Sequence, residues 1–415
     1  MRVCVLGGGV VGVATAYYLA RDGYQVTLLE QRAGVAMDAS FANGGQLSYS
    51  YVAPLAQPSV LPKLLGWLLK RDSALRFVPR LDLRQWRWSL AFLRACRSDV
   101  ARRTTAHLLA LGLYSRSQLH ALVRDESLDF DYERNGKLVL YRDPRELDGA
   151  KRQMELQATL GCEQQALDPA ACVDIEPAIA PLHTSLAGGI YTPSEDVGDC
   201  HKFTVELARV ARERYGAVFH YGANVRQLCA TRRRIDAVRT ERGDIEADAF
   251  VVALGTSSSK LLAPLGVSLP LYPLKGYSLT VPVEAGHSAP RVSVSDADLK
   301  VVYAKLGERL RIAGMIDITG MNDNLDRRRL SLLQRQAQQT FPQAGDYGRA
   351  VGWCGRRPAT PSGKPLLGAT DYTNLWLNTG HGALGFTLAC GSARLVADSI
   401  AQREPELDIT LFRGA

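Results

Sequence analysis

The feature that most constrains this chain is a glycine-rich turn close to its first residue. The apolar, β-branched stretch Val3 to Leu6 predicts a buried strand, and Gly7-x-Gly9-x-x-Gly12 then leads into an apolar helical pattern. In such a turn the glycines allow a sharp bend, approach of a pyrophosphate to the backbone, and close packing of helix on strand. The helix N-terminus adds free N–H groups and the positive end of a dipole. The stretch therefore predicts a dinucleotide-binding βαβ unit.

A second strand supports this interpretation. The apolar stretch Gln25 to Leu29 ends at Glu30, the place where an acidic residue accepts a hydrogen bond from a ribose hydroxyl. The glycine motif alone is weak support, because an ordinary βαβ unit also uses glycines to turn. The complete match of motif and context disfavours that alternative.

Length and composition favour a globular protein of two domains, because 415 residues exceed what one simple core holds. Hydrophobic residues make up 46% and charged residues 22%, as is usual for soluble proteins. We expect no transmembrane helix, since no apolar run reaches the necessary length. The first strand begins at residue 2 or 3, which leaves no room for a cleaved signal peptide, so we expect a cytoplasmic protein.

The cysteines argue against a metal centre. Eight are scattered along the chain without a C-x-x-C pair, which disfavours a zinc ribbon or an iron–sulfur site. There is also no metal-ligand cluster and no Ser/His/Asp nucleophile pattern. We expect no metal, and reduced core cysteines.

Positive charge is concentrated in residues 63–103, where eleven Lys/Arg face three Asp, in a chain of formal net charge +8. Trp67, Trp86 and Trp88 and a leucine stripe beginning at Leu61 lie in the same segment. One interpretation is a peripheral helix in anionic lipid headgroups, on the inner face of the cell membrane. The other is a helical cap whose apolar residues face the core. We expect no nucleic-acid binding, because no binding motif accompanies the charge.

The remaining pattern alternates strands and helices. Phe250 to Gly255 predicts a central strand of the first sheet, with Gly255 near the dinucleotide. Asn135-Gly136 predicts a hairpin within residues 130–141. Helices are expected at 61–69, 85–100, 104–124, 145–160, 203–211, 326–341 and 386–402, and further strands at 186–191, 218–221, 277–281, 301–304, 310–315 and 375–378.

Two further glycine-containing stretches predict contact with a flat or anionic group. Ala39 to Ser48 is small, polar and glycine-containing, although a surface loop has the same composition. Thr379 to Gly385 joins a strand to the last helix. A helix dipole at that turn would stabilise negative charge, such as that on a reduced flavin.

These stretches together resemble a known family. They are Gly7–Gly12 with Glu30, Ser40–Gln46, Val251–Gly255, Tyr272–Ser278, Arg357–Pro361 and Asn378–Gly385. In this order the chain resembles the small subunit of bacterial D-amino acid dehydrogenases, within the wider family of D-amino acid oxidase, glycine oxidase and sarcosine oxidase. The resemblance runs from the first strand to the last helix.

The resemblance implies an α/β fold that binds FAD without a covalent bond. A Rossmann-like FAD-binding domain would comprise residues 1–53, 195–262 and 345–415. A mixed-sheet α+β substrate domain would comprise residues 54–194 and 263–344. The implied FAD-binding residues are Gly7, Gly9, Val10, Val11, Gly12, Glu30, Gln31, Ala39, Ser40, Gly44, Gly45, Gln46, Val225, Gly255, Gly380, His381, Gly382, Ala383, Leu384, Gly385, Phe386 and Thr387.

The resemblance also implies a substrate site. Arg357 would anchor the substrate carboxylate, although Arg356 precedes it where the family often has Leu. Tyr272 and Tyr277 are candidate catalytic residues, but strand alternation prevents both from sharing one face of a regular strand. His381 would be either a donor at the flavin edge or a polar cap on the last helix.

The implied reaction is oxidative deamination of a D-amino acid to a 2-oxo acid and ammonia, with electrons passing to a quinone or another acceptor. One alternative is a glycine- or sarcosine-type oxidase that uses oxygen. Another is a flavoprotein subunit that only relays electrons for a partner. Neither the preferred D-amino acid nor the acceptor follows from the sequence.

Overall fold

The computed structural model describes residues 1–62, Gly66 and residues 73–413. The described helices are α1 (Val10–Arg21), α2 (Leu83–Ala95), α3 (Ser98–Asp125), α4 (Pro144–Ala158), α5 (Pro169–Ile175), α6 (Cys200–Glu213), α7 (Ser258–Leu262), α8 (Arg327–Thr340) and α9 (Gly385–Ile400). Most of the helix expected at 61–69, including Trp67, lies outside the described residues.

The described strands are β1 (Arg2–Leu6), β2 (Gln25–Glu30), β3 (Gln46–Leu47), β4 (Leu75–Phe77), β5 (Lys137–Tyr141), β6 (Gln165–Leu167), β7 (Gly188–Thr192), β8 (Asp196–Val197), β9 (Val218–Tyr221), β10 (Val225–Thr231), β11 (Arg234–Thr240), β12 (Gly243–Glu246), β13 (Ala249–Val252), β14 (Tyr272–Pro282), β15 (Ser293–Asp296), β16 (Val301–Leu306), β17 (Arg309–Ile318), β18 (Val351–Ala359), β19 (Leu366–Ala369) and β20 (Leu375–Thr379).

The first sheet is built around the N-terminal strand. Its order is β19-β20-β13-β1-β2-β9, and all pairs are parallel except β19 with β20. The β1 and β13 strands are almost entirely buried, as parallel strands covered on both faces are. The α1 helix packs against α6 and α9, and so covers one face. The predicted central position of residues 250–252 is confirmed.

The second sheet is mixed and covers the glycine-containing loop of residues 43–46. Its order is β18-β14-β17-β16-β15-β5-β7-β6, with β4 also paired to β17. The side-chain amide of Gln46 donates to the carbonyls of Val294 (3.0 Å) and Tyr303 (3.3 Å) in this sheet. A separate three-stranded sheet, β10-β11-β12, turns at Arg242-Gly243 between β11 and β12.

Two segments differ from the domain division implied by the resemblance. Residues 351–359, which the division assigned to the FAD-binding domain, form the β18 edge strand of the second sheet. The α3 helix, which it assigned to the substrate domain, packs on α9 in the core of the first sheet. By sheet and core membership, both segments therefore belong to the other domain.

Two local predictions are wrong. Residues 130–141 contain one strand, β5, which pairs with β7 and β15 rather than with a hairpin partner. Gly136 has a φ of +73°, and a Cβ there would lie 2.6 Å from the Tyr191 hydroxyl, so this glycine allows close packing. The break between α2 and α3 falls at Cys96–Arg97, earlier than the expected break after residue 100.

Candidate active site

The N-terminal turn has the close packing that its glycines predict. Gly7 has a φ of +110°, and a Cβ there would lie 2.6 Å from the carbonyl oxygen of Ala253. A Cβ on Gly12 would overlap the carbonyl oxygen of Gly7. At Gly9, by contrast, a Cβ would meet only Ser40 Oγ, at 3.6 Å. The turn therefore packs against the protein at Gly7 and Gly12 and leaves open space at Gly9, as a backbone site for phosphates requires.

Glu30 connects the end of β2 to this turn. Its carboxylate accepts hydrogen bonds from the backbone N–H groups of Gly8 and Arg32, both at 2.7 Å. Burial raises the pKa of Glu30 above its usual range. The carboxylate borders the same cavity as the turn, so it can also accept from a ribose hydroxyl.

The loop of residues 43–46 is held from both sides. Asn43 accepts a hydrogen bond from the N–H of Gly45 (2.9 Å), and Gly45 has a φ of +75°. The buried Arg311 donates to the Asn43 carbonyl at 2.7 Å. A Cβ on Gly44 would come within 3.2 Å of Val302. This packing places the loop backbone along the wall of the cavity.

The turn before α9 presents a helix N-terminus to the same cavity. Gly380 and Gly382 have φ values of +84° and +55°, and α9 begins at Gly385 without a side-chain cap. His381 is buried with its Nε2 3.0 Å from Ser392 Oγ, and burial lowers its pKa to about 3. The imidazole is therefore neutral at physiological pH and supplies no charge.

One cavity of about 1190 Å³ joins these parts. Of the implied FAD-binding residues, those that line it are Gly7, Gly9, Val10, Val11, Glu30, Gln31, Ala39, Ser40, Gly44, Gln46, Val225, Gly255, Gly380, His381, Gly382, Ala383, Leu384, Gly385, Phe386 and Thr387. Gly12 and Gly45 support this wall from behind. These walls fit FAD, since the Gly7, Gly44 and Gly45 backbones pack closely against the protein and Gly9 leaves open space beside the cavity.

Arg357 lies on the cavity face of β18. Residues 274, 276 and 278 of β14 pair with 357, 355 and 353, and Ser278 donates to the Ala42 carbonyl beneath the sheet. The Arg357 Nη1 donates to the carbonyl of Met315 at 3.0 Å. Burial lowers its pKa to about 10, so the guanidinium stays protonated at neutral pH. Among the described residues it has no carboxylate partner, which leaves donors for an anionic ligand.

Arg356 points to the other face of the same strand. Its Nε lies 2.8 Å from Asp323 Oδ1, and its Nη1 lies 3.3 Å from the sulfur of Met321. Strand alternation explains the difference, because neighbouring residues point to opposite faces. Both arginines border the cavity, but Arg356 is paired with Asp323, whereas Arg357 has no carboxylate partner among the described residues.

The structure places the two tyrosine side chains on opposite faces of β14. Tyr277 borders the cavity, but its hydroxyl donates to Asp317 (2.8 Å), which is ion-paired to Arg329 of α8. Tyr272 packs beside Trp88 and does not line the cavity. These contacts place both side chains in the packing of the second sheet, and the catalytic roles expected for Tyr272 and Tyr277 stay predictions. Alternation accounts for their opposite faces, and a register shift between Lys275 and Tyr277 accompanies it.

Sequence reasoning missed two cavity side chains, Lys137 and Trp353. Lys137 is buried, donates to Ser48 Oγ at 2.7 Å, and lies 4.3 Å from the Tyr51 ring centroid. Burial lowers the pKa of Lys137 to about 8. No motif marked Lys137, because the predicted hairpin placed it in a turn region. Trp353 lies in a segment where the sequence predicted no strand.

Comparison with known proteins agrees with this geometry. The sequence matches the family described as "FAD dependent oxidoreductase" over residues 2–399. The chain is 51% identical to D-amino acid dehydrogenase 2 of Pseudomonas aeruginosa, covering 100% of this chain and 99% of that protein. It is 49% identical to D-amino acid dehydrogenase 2 of Ralstonia nicotianae, covering 98% of each chain.

Solved structures show the same fold. Glycine oxidase from Geobacillus kaustophilus superposes with a TM-score of 0.79 at 22% identity, covering 99% of this chain and 98% of that one. L-proline dehydrogenase from P. horikoshii superposes with a TM-score of 0.78 at 17% identity, covering 100% and 96%. By these matches the chain belongs to the FAD-dependent oxidoreductase family and is an FAD-dependent enzyme.

Proposed function

We propose that this protein oxidises D-amino acids to 2-oxo acids and ammonia and passes the electrons to a quinone. The observation that carries the proposal is Arg357, a protonated guanidinium that faces the FAD cavity without a carboxylate partner among the described residues. A planar guanidinium suits bidentate binding of a carboxylate. The two dehydrogenases named above support D-amino acids as the substrates.

The chain's contribution to the reaction is orientation and exclusion of water. Arg357 would clamp the substrate carboxylate, and its bond to the Met315 carbonyl fixes the guanidinium plane. The second sheet closes the cavity over the loop of residues 43–46 and limits access of water. When bound, FAD supplies the two-electron acceptor for hydride leaving the substrate Cα. Neutral His381 cannot act as a charged acid, and a substrate amine that arrives deprotonated needs no strong base.

An anaerobic spectroscopic screen tests the proposal. The FAD-loaded protein is mixed with both enantiomers of the common amino acids, and the flavin absorbance is followed. We expect bleaching with D-amino acids and little with their enantiomers. Absence of bleaching with every D-amino acid would contradict the proposal and would favour an electron-relay subunit. Rapid hydrogen peroxide formation in air would favour an oxygen-using oxidase over quinone reduction.

Replacing Glu30 by Ala should weaken FAD retention by about 1–3 kcal/mol, the cost of leaving charge-assisted hydrogen bonds unmade. The loss has two parts, because the carboxylate also holds the N–H groups of Gly8 and Arg32. The measurement is the FAD dissociation constant by fluorescence. Glu30→Gln is the matched control, since it keeps one acceptor oxygen and should lose less. Equal retention in wild type and Glu30→Ala would remove Glu30 from the cofactor site.

A cationic and apolar surface supports delivery of electrons to a membrane quinone. The inner face of α2 packs Trp88 and Phe92 into the protein. Its outer face exposes Leu83 (74%) and Leu90 (55%), together with Trp86 and Leu93. Arg84, Arg87 and Arg94 are exposed beside this stripe. The cap interpretation explains only the inner face, whereas the outer stripe has the composition of an interfacial helix. None of the described helices is both long and apolar enough to span a bilayer.

Cosedimentation with anionic vesicles tests this surface. We expect binding at low salt that weakens as salt rises, because the attraction to headgroups is screened. Replacing Arg84, Arg87 and Arg94 together by Ser should reduce binding several-fold. The matched control replaces three exposed arginines elsewhere, namely Arg145, Arg152 and Arg212, and should bind more strongly than the α2 variant. Protein that stays in the supernatant at low salt would contradict the membrane proposal.

A further inference from the structure

A pair of glycines forms the floor of the substrate side of the cavity. Gly276 of β14 lies directly opposite Gly355 of β18. A Cβ on Gly276 would overlap the Arg357 guanidinium, with Nη1 at 2.6 Å. A Cβ on Gly355 would overlap the Trp353 ring, with Cζ2 at 2.6 Å. The Arg357 and Trp353 side chains of β18 therefore pack directly over glycines, where the sheet has no side chain.

The two side chains are neighbours on one face. Residues 353, 355 and 357 alternate with those of the opposite face, so Trp353 and Arg357 point to the same side. Directly opposed positions on an antiparallel pair are about 4.5–5.5 Å apart. The indole over Gly355 and the guanidinium over Gly276 therefore lie side by side, and both line the cavity.

The orientations of the Arg357 guanidinium and the Trp353 indole determine which of their atoms face a bound substrate. The central carbon and both terminal nitrogens of Arg357 come similarly close to the Cβ position of Gly276, so the guanidinium rests on the sheet by its flat face. The Trp353 atoms nearest Gly355 are Cη2, Cζ2 and Cζ3, which belong to the benzo ring. The surface beside the carboxylate anchor is therefore hydrocarbon, with the indole N–H at the far end.

We propose that Trp353 is a specificity-determining residue, whose benzo ring receives the side chain of D-amino acids with an extended apolar group. This inference rests on the proposed function, with the substrate carboxylate on Arg357. An apolar side chain loses water favourably against the ring. A cationic side chain would lose hydration there without gaining a partner, because Asp323 already pairs with Arg356. The preferred substrates are therefore D-amino acids such as D-leucine and D-phenylalanine, rather than D-arginine.

The test compares substrates that share the carboxylate and differ in side chain. In Trp353→Ala, kcat/KM for anaerobic flavin reduction by D-phenylalanine should fall about 10- to 100-fold, the range for a lost apolar pocket contact. In the same variant, kcat/KM for D-alanine should change less than about threefold. Trp353→Phe should restore most of the preference, and Leu160→Ala, at an exposed apolar residue that does not line the cavity, should leave it unchanged. If alanine prevents folding, the same ratio is measured in Trp353→Leu.

A binding measurement separates recognition from turnover. Benzoate and acetate titrated into the oxidised enzyme, followed by flavin absorbance, should show weaker benzoate binding in Trp353→Ala and unchanged acetate binding. The role of Trp353 would be overturned if Trp353→Ala lost kcat/KM equally for D-phenylalanine and D-alanine and lost affinity equally for benzoate and acetate. An unchanged preference for D-phenylalanine over D-alanine would overturn it as well. Both results would leave the proposed function intact. Failure of the proposed function has a different signature, because wild type would then be reduced by no D-amino acid.

Discussion

Replacing Arg357 by Ala should lower kcat/KM for a D-amino acid by about 2–5 kcal/mol, because a desolvated carboxylate loses its charged partner. The guanidinium faces the cavity, and its described protein partner is a single carbonyl, that of Met315. Among the described residues, no carboxylate pairs with the Arg357 guanidinium. The measurement is anaerobic flavin reduction at several substrate concentrations. FAD content should not change, because the cofactor contacts lie on other elements.

The neighbouring arginine provides a matched control. Arg356→Ala removes an ion pair with Asp323, whose side chain is 66% exposed, and should change kcat/KM little. Arg357→Lys should recover only part of the activity, because an ammonium cannot bind a carboxylate in a bidentate fork. A dead Arg356→Ala beside an active Arg357→Ala would reverse the assignment. Two harmless variants would contradict amino-acid binding at this place.

The elements that the sequence predicted well are those with local signals. The β1–α1–β2 unit and the turn before α9 combine glycines at fixed spacing with apolar periodicity, and both reach the cavity in the structure. Their ligand-facing atoms are mostly backbone atoms, so a short motif determines them. This explains why nearly all implied FAD-binding residues line one cavity although they come from distant parts of the chain.

The substrate side was harder to predict because its geometry depends on strand pairing far along the chain. The strands expected from the sequence did not include residues 352–358, yet pairing with β14 makes this segment an edge strand. Alternation showed that Tyr272 and Tyr277 could not both share a face, but not that the Tyr277 hydroxyl would bind Asp317. Gly276 and Gly355 leave room for the Arg357 and Trp353 side chains, and this role can be recognised only once the strand pairing is known. Trp353 was missed for the same reason.

Replacing Gly12 by Ala should abolish stable FAD binding, with an affinity loss of about 3 kcal/mol or more. The added Cβ would overlap the Gly7 carbonyl oxygen and come within 3.4 Å of Ala253, so α1 must move away from β1. That movement displaces the backbone of the turn and the N–H of Val10, which now donates to Ser40 at 3.1 Å. The measurements are FAD content after purification and the dissociation constant on reconstitution.

Gly34→Ala is the matched control for Gly12→Ala. A Cβ at Gly34 meets no atom within 4 Å, and the residue does not line the cavity, so FAD binding should stay at the wild-type level. Circular dichroism should show that both variants fold, because overpacking at one turn costs only part of a domain's stability. A Gly12→Ala protein that keeps FAD as tightly as wild type would mean that α1 can shift without moving the backbone of the turn. The close packing at this turn would then serve the fold rather than the cofactor.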